Sequence, residues 1–443
     1  MTPAAADVGR LLDDGRWSPY QRWLVGLTAL SIVFDGIDNQ LLGISIPSIM
    51  ADWGVLRSAF APVVALGFLG MMIGGAGAGL VGDRYGRKVA LLGCMGIFGA
   101  ATLAASMADG TSTLGALRWL AGLGLGGAMP NATALAAEYV PSRQRALSVT
   151  LTIVCVPLGG TLAGVMAIRL LPAIGWRAMF ALGGIVPMLA ALLLWRLLPE
   201  SPRYLARHPE RWTELRGLLR RFGHTIAPDA VFAHADSPLT QQGLRAIFSR
   251  ELRADTCLLW IAFFSCLLSV YLGFSWLPSV LATAGLGPAL GATAITVFNL
   301  GGVAGAIAGG ILIARFGSRT PMLSMAAAAV LCAAVLSLMP LTRLSSVAPI
   351  IVLLTLTGGM INAVQTTMFA LAAHVYPTTI RARGVGIAVA IGRGGAILSG
   401  YAGPWALELR GSPSFFALMS AAVAVTFVAL ALVSRHVPAR AVR

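Results

Sequence analysis

The sequence predicts an all-α membrane protein of twelve transmembrane helices in two six-helix halves, with both termini cytoplasmic. Three observations lead there. Of 443 residues, 57% are hydrophobic and only 11% are charged, against roughly 25% charged in soluble domains. The apolar residues gather into about twelve runs, each near the 20 residues that cross a bilayer. Arginines, finally, alternate between rich and poor loops along the chain. The net charge of +15 and pI near 10.9 raise nucleic acid as a partner. The bases lie in short loops between apolar runs, however, so the expected partner is the lipid bilayer and no nucleic acid.

The expected spans are 22–47, 59–81, 89–107, 112–137, 146–170, 177–198, 255–281, 289–314, 321–340, 346–371, 383–405 and 413–434. Runs of this length are helices, because hydrocarbon offers the backbone no other hydrogen-bond partner. One set of loops holds Arg84, Arg87 and Lys88, then Arg143 and Arg145, Arg315 and Arg319, and Arg381 and Arg383. The termini join that set with Arg10, Arg16, Arg435, Arg440 and Arg443. Alternate loops carry single arginines at 57, 177, 343 and 410. The positive-inside rule then puts both termini in the cytoplasm. The polar first 20 residues do not read as a signal peptide. Residues 199–254 carry nine arginines and six acids and are too short for a core of their own. They read as a cytoplasmic tether with short amphipathic helices, dividing the chain into 1–198, 199–254 and 255–443. Cys94, Cys155, Cys257, Cys266 and Cys332 all fall in apolar stretches, which suits packing rather than disulfides or metal. No cofactor is expected.

The segment GLVGDRYGRK (79–88) puts Asp83, Arg84, Arg87 and Lys88 between two spans, so it is a tight turn at the membrane surface. It recurs as GILIARFGSR (310–319) at an offset of 231, with Gly79, Arg84 and Gly86 matched by Gly310, Arg315 and Gly317. Asp83 is matched by Ala314. At an offset of 236, Glu138, Pro141 and Arg145 face His374, Pro377 and Arg381. A six-plus-six duplication of this kind places a site at the midplane between halves that rock against each other.

Ionisable residues within spans cost on the order of 2.5–3.5 kcal/mol each and mark function by default. Asp35 and Asp38 share a stripe of span 1 with Asn39 and Leu42. Two carboxylates this close in low dielectric repel, so one is expected to exchange a proton near neutral pH. Arg118 opens RWLAGLGLGG (118–127), whose glycines admit a neighbouring helix. It is expected either to pair with a span 1 aspartate or to bind substrate. Arg393, flanked by Gly392, Gly394 and Gly395, presents a planar fork of donors suited to the carboxylate of an anionic substrate; pairing with Asp38 or a backbone carbonyl is the alternative. Two acids and two bases balance; a monocarboxylate adds one negative charge, and one proton restores neutrality. Asn131, Trp276, Asn299 and Gln365, with Tyr271 and Asn362, are further lining candidates. Asp83, Arg84, Arg87, Glu138, Arg145, Arg315 and Arg319 are expected to gate the cytoplasmic side by pairing across the halves when the outside is open. Plain topology-setting charge is the alternative. His374, in place of the glutamate, reads as a solvated surface residue.

The loop at 79–88 fits G-x-x-x-D-R-x-G-R-[KR] and resembles the signature loop of major facilitator transporters. With D-G-x-D at 35–38, RWLAGLGLGGAMPNATALAAEY (118–139), LPESPRYL (198–205) and YPTTIRARGVGIAVAIGRGGA (376–396), nearly the whole chain is similar to the aromatic acid:proton symporter family. The stretch from Tyr376 to Arg393 resembles most the hydroxyphenylpropionate carriers. The resemblance implies a monomeric multi-pass carrier of the bacterial inner membrane, taking up a benzoate-, hydroxybenzoate- or phenylpropionate-type acid with protons. It also implies functional roles for Asp35, Asp38 and Asp83. P-E-S-P-R (199–203) and E-x-x-P-x-x-x-R (138–145) also resemble sugar porters, but span 7 (258–276) offers only serines and a tyrosine to a sugar. A proton-driven exporter is disfavoured by Val156-Pro157-Leu158-Gly159-Gly160 where exporters carry G-P-x-x-G-G. An enzyme is disfavoured because no loop joins a nucleophile to His and acid.

Overall fold

The computed structural model describes residues 6–227, 230–233, 247–341, 346–377 and 380–439. Arg343, Arg440 and Arg443 of the loop count, and part of the tether, lie outside them. The long helices are α2 (Pro19–Trp53), α3 (Ala61–Tyr85), α4 (Arg87–Ala105), α5 (Thr111–Glu138) and α6 (Ser142–Leu197), then α9 (Arg253–Thr283), α10 (Pro288–Phe316), α11 (Arg319–Leu338), α12 (Ala348–Val375), α13 (Arg381–Arg410) and α14 (Ser412–Leu432). At 56 residues, α6 runs about 84 Å, more than twice the hydrocarbon core. It breaks at Gly175, whose φ of 74° leaves the helical region, and so supplies two spans. Ten helices among the described residues are long and apolar enough to cross a membrane. With α5, less apolar because of its glycines, Pro130 and Asn131, and α6 counted twice, the spans number twelve.

Local chemistry sets the ends. Ser18 and Gln21 form a capping box at the start of α2 (Ser18 N to Gln21 Oε1 2.8 Å), with Pro19 in the first turn, where it loses no hydrogen bond. Gly54 ends the helix at φ 63°. Gly86 turns the chain between α3 and α4 at φ 104°, and its repeat mate Gly317 does the same between α10 and α11 at φ 77°. Both positions need a positive φ that a side chain resists, so the duplication read from the sequence is also a backbone duplication.

The helices before Leu198 and those after Leu252 are termed the N- and C-terminal halves. Corresponding helices pair in each: α3 with α5 and α10 with α12, α2 with α6 and α9 with α13, α4 with α6 and α11 with α14. Their seams are small-residue seams. A Cβ on Gly70 or Gly74 would collide with backbone of α5, and one on Gly301 or Gly305 with backbone of α12. With lipid as apolar as leucine, such close backbone approach is what drives association. Leu189, Leu192, Leu331 and Leu338 stay exposed on the outer surface, where acyl chains cover them.

Between the halves, α2 meets α9, α3 meets α13, and α6 meets α10. These meetings lie toward the periplasmic ends. Gly43 abuts Phe274 and Ser275, Gly400 abuts Ala61 and Ala65, and Gly164 abuts Thr296. Arg57 Nη2 donates to Thr283 Oγ1 at 2.6 Å. The structure is closed on the periplasmic side.

The described residues of the 199–254 segment and of the N-terminal arm form a layer at one end of the helix bundle: α1 (Val8–Asp14), α7 (Pro202–Ala206), α8 (Trp212–Arg221) and a two-residue parallel pair, β1 (Ala6–Asp7) with β2 (Phe232–Ala233). As expected of an amphipathic surface helix, α8 buries Leu215, Leu218 and Leu219 and carries Arg220 and Arg221 in its last turn, favourable to its dipole. A cleft of about 600 Å³ between residues 7–18 and Phe222–His224 is open to the cytoplasm and far from the intramembrane charges.

Candidate functional site

Asp38 and Arg118 form a closed unit inside the N-terminal half. Arg118 Nη2 donates to Asp38 Oδ2 at 2.8 Å, and Thr102 on α4 donates to Asp38 Oδ1 at 2.5 Å. Asp38 is 0% and Arg118 4% exposed. Arg118 is thus paired with a span 1 aspartate. It still borders a cavity of about 20 Å³ with Asn39, Phe68, Met71 and Ser275, room for a single water.

Asp35, one turn away, is different. It is 3% exposed, and its Oδ1 has no hydrogen-bond partner. The charged groups acting on it are Arg393 and Asp38. Arg393, on α13 of the other half, also has a sealed Nη1 without a partner. The site thus holds one satisfied ion pair and two opposite, unsatisfied groups contributed by different halves. A buried charge without a partner is costly, so this arrangement is suited to receive a ligand or a proton.

The other lining candidates separate. Asn131 is sealed between α3 and α5, its amide donating to Ala78 O (3.3 Å) and Gly127 O (2.9 Å). Trp276 is 0% exposed and donates to Ser399 O at 3.0 Å, holding α9 to α13. The Trp276 indole N–H and the Asn131 amide nitrogen are taken by backbone carbonyls of their own half, whereas Asn131 Oδ1 is buried without a partner beside Gly82. Asn362 likewise donates to Gly358 O at 2.8 Å. Asn299 lies against Gly160 at the meeting of the halves, with Oδ1 unpaired. Gln365 is half-buried, and its side chain forms no hydrogen bond among the described residues.

On the cytoplasmic side, the candidate gating charges stay within their own half. Arg87 Nη2 binds Asp83 Oδ1 at 2.5 Å and lies 3.9 Å from Glu138. Ser201 donates to Glu138, and Arg145 pairs with Asp13 of the arm. Arg84 lies over the Tyr85 ring and Arg315 over the Phe316 ring. Arg319 acts on His436, and His374 is exposed.

Sequence reading missed several groups. Thr102 has no marker in a span of small residues. Glu200 accepts from Lys88 N at 3.0 Å and Ser201 N at 2.9 Å, clasping the turn at Gly86; burial pushes its carboxyl up. In the other half the C-terminal tail takes that place: Val437 N donates to Ser318 Oγ at 2.8 Å, and Ser318 N to Val437 O at 2.9 Å. The offset of 236 that maps Glu138 onto His374 also maps Glu200 onto His436, and that signal was available. Burial holds the His436 imidazole below its usual range.

The chain matches the Major Facilitator Superfamily over residues 28–363 and belongs to that family: it is a multi-pass membrane transporter, not an enzyme. Among its relatives are a gallate transporter of Pseudomonas putida, 36% identical over 94% of this chain and 92% of the relative, and the 4-hydroxybenzoate transporter PcaK of Pseudomonas aeruginosa, 36% identical over 91% and 90%. A benzoate transport protein of Acinetobacter baylyi is 28% identical over 94% and 90%. Among solved structures, the inward-open xylose transporter XylE from E. coli superposes with a TM-score of 0.74 at 17% identity, covering 95% of this chain and 98% of that one. At that identity the likeness is one of fold.

Proposed function

We propose that the protein imports a small aromatic carboxylate with a proton across the bacterial inner membrane, as a monomer working by alternating access. The observation that carries this reading is the pair of unsatisfied groups, Asp35 Oδ1 and Arg393 Nη1, beside an Asp38–Arg118 pair that is already satisfied. The carboxylate of the substrate binds the Arg393 fork. Asp35 then faces a second negative charge and takes a proton, so substrate and proton enter and leave together. The relatives named for gallate, 4-hydroxybenzoate and benzoate support an aromatic acid over a sugar.

The periplasmic contacts part in the outward-facing state. Asp83, Arg84, Arg87, Glu138 and Arg145 then approach Arg315 and Arg319 and close the cytoplasmic side. The lone acid of the 79–88 turn makes this latch one-sided, since its mate is Ala314.

Uptake into proteoliposomes tests the reading. With an inward proton gradient the protein should concentrate 4-hydroxybenzoate or benzoate, and a protonophore should abolish this. Asp35→Asn should retain binding and lose concentrative uptake. Gradient-independent uptake of xylose in place of the acids, or concentration by the Asp35→Asn protein, would overturn it.

A further inference from the structure

We infer that the Tyr271 hydroxyl receives the ring hydroxyl of the substrate, so that this site is built for aromatic acids hydroxylated opposite the carboxylate. The inference rests on the proposed binding of the carboxylate at Arg393.

The heights of the groups come from backbone contacts. Gly395 on α13 packs on the backbone of Phe264 and Leu268 of α9, and Gly43 on α2 packs on Phe274 and Ser275. All three helices run from cytoplasm to periplasm. Arg393 and Asp35 therefore sit level with residues 264–267 of α9. Tyr271 lies about four to seven residues nearer the periplasm, a rise of about 6–10 Å. That rise is comparable to the span from the carboxylate of a benzoate to a para substituent.

Tyr271 also faces the right way. Ser275, four residues on and so on the same face, lines the small cavity with Asn39, Phe68 and Arg118. Phe68 of the N-terminal half lies against the Tyr271 ring with centroids 4.4 Å apart. Among the described residues it is the one aromatic pair that joins the halves. Phe274 packs edge-on against the same ring at 5.7 Å. The phenol is thus in contact with two further rings, one from each half. Tyr271 is 7% exposed, and its hydroxyl makes no hydrogen bond among the described residues. Nor is that oxygen among the buried polar atoms sealed off without a partner. Buried phenols ordinarily find a partner. Here the partner is the substrate, with carboxylate at the Arg393 end and hydroxyl at the Tyr271 end.

The test compares uptake of 4-hydroxybenzoate, 2-hydroxybenzoate and benzoate by wild type and Tyr271→Phe in proteoliposomes. The variant should raise KM for 4-hydroxybenzoate about 5- to 100-fold, the effect of leaving one buried hydroxyl unpaired. Benzoate, and 2-hydroxybenzoate with its hydroxyl beside the carboxylate, should be unaffected. Retained benzoate uptake also shows that the variant folds. An equal loss for all three acids, or no change for any, overturns the inference while leaving the carboxylate reading standing. A wild-type protein that transports none of them overturns both.

Discussion

The buried pair Asp38–Arg118 allows a quantitative test by double-mutant cycle. At 2.8 Å and an effective dielectric of about 20, the attraction is about 6 kcal/mol before desolvation is subtracted. Removing one partner leaves the other charge in a site 0–4% exposed. Asp38→Asn or Arg118→Gln alone should therefore destabilise by about 3–5 kcal/mol. Removing both charges leaves two neutral amides that can hydrogen-bond each other and Thr102. The double variant Asp38→Asn/Arg118→Gln should thus be more stable than either single variant. The measurement is unfolding in detergent, with denaturant midpoints for the wild type, both singles and the double. If the double loses the sum of the two singles, the residues do not form the closed unit described, and Arg118 returns to being a candidate substrate ligand.

Three further outcomes follow from particular contacts. Arg57→Ala removes the Arg57–Thr283 hydrogen bond that ties the periplasmic ends. It should shift the equilibrium toward the outward-open state by about fivefold, corresponding to roughly 1 kcal/mol, read from spin-label distances between the halves. Gly36→Val drives a side chain into the backbone of Val156 and Gly159 and should cost about 1–3 kcal/mol; unchanged stability would mean that α2 and α6 are not in backbone contact. Burial holds His436 below the ordinary histidine value of about 6.5, so the folded state binds fewer protons there than the unfolded one. Its contribution is fully present above that value and is lost as pH falls through the folded pKa. Arg319 and His374 oppose its protonation and Asp255 favours it. The protection factor of the Val437 amide, corrected for the intrinsic base-catalysed exchange rate, should therefore fall as pH drops below the ordinary histidine value; a protection factor independent of pH would refute this.

Much of the fold was legible because membrane insertion is decided locally. Each apolar run carries its own transfer free energy and each loop its own arginines, so spans and orientation need no knowledge of neighbours. The break at Gly175 inside α6 was legible as two spans, although the backbone is nearly continuous there. The duplication was legible through glycines, because Gly86 and Gly317 occupy positive-φ turns. The lining residues were less so. Asn131 and Trp276 carry polar atoms at membrane depth, and from sequence alone that is equally consistent with a ligand contact or a backbone contact. Which one applies depends on whether a carbonyl of an adjacent helix lies within reach, as Ala78 O and Ser399 O do.

The sequence alone determined the membrane class, the repeat, and the presence of Asp35, Asp38, Arg118 and Arg393 within the spans. Burying four charges in hydrocarbon is costly wherever they point, and composition records that cost. Only the tertiary structure decided how the four are matched. Asp35 and Asp38 are one turn apart on the same helix, yet Asp38 meets Arg118 and Thr102 while Asp35 is left without a partner at Oδ1. Pairing is set by which helices pack against α2 and at what height. Those are properties of contacts between distant segments, which no local pattern encodes.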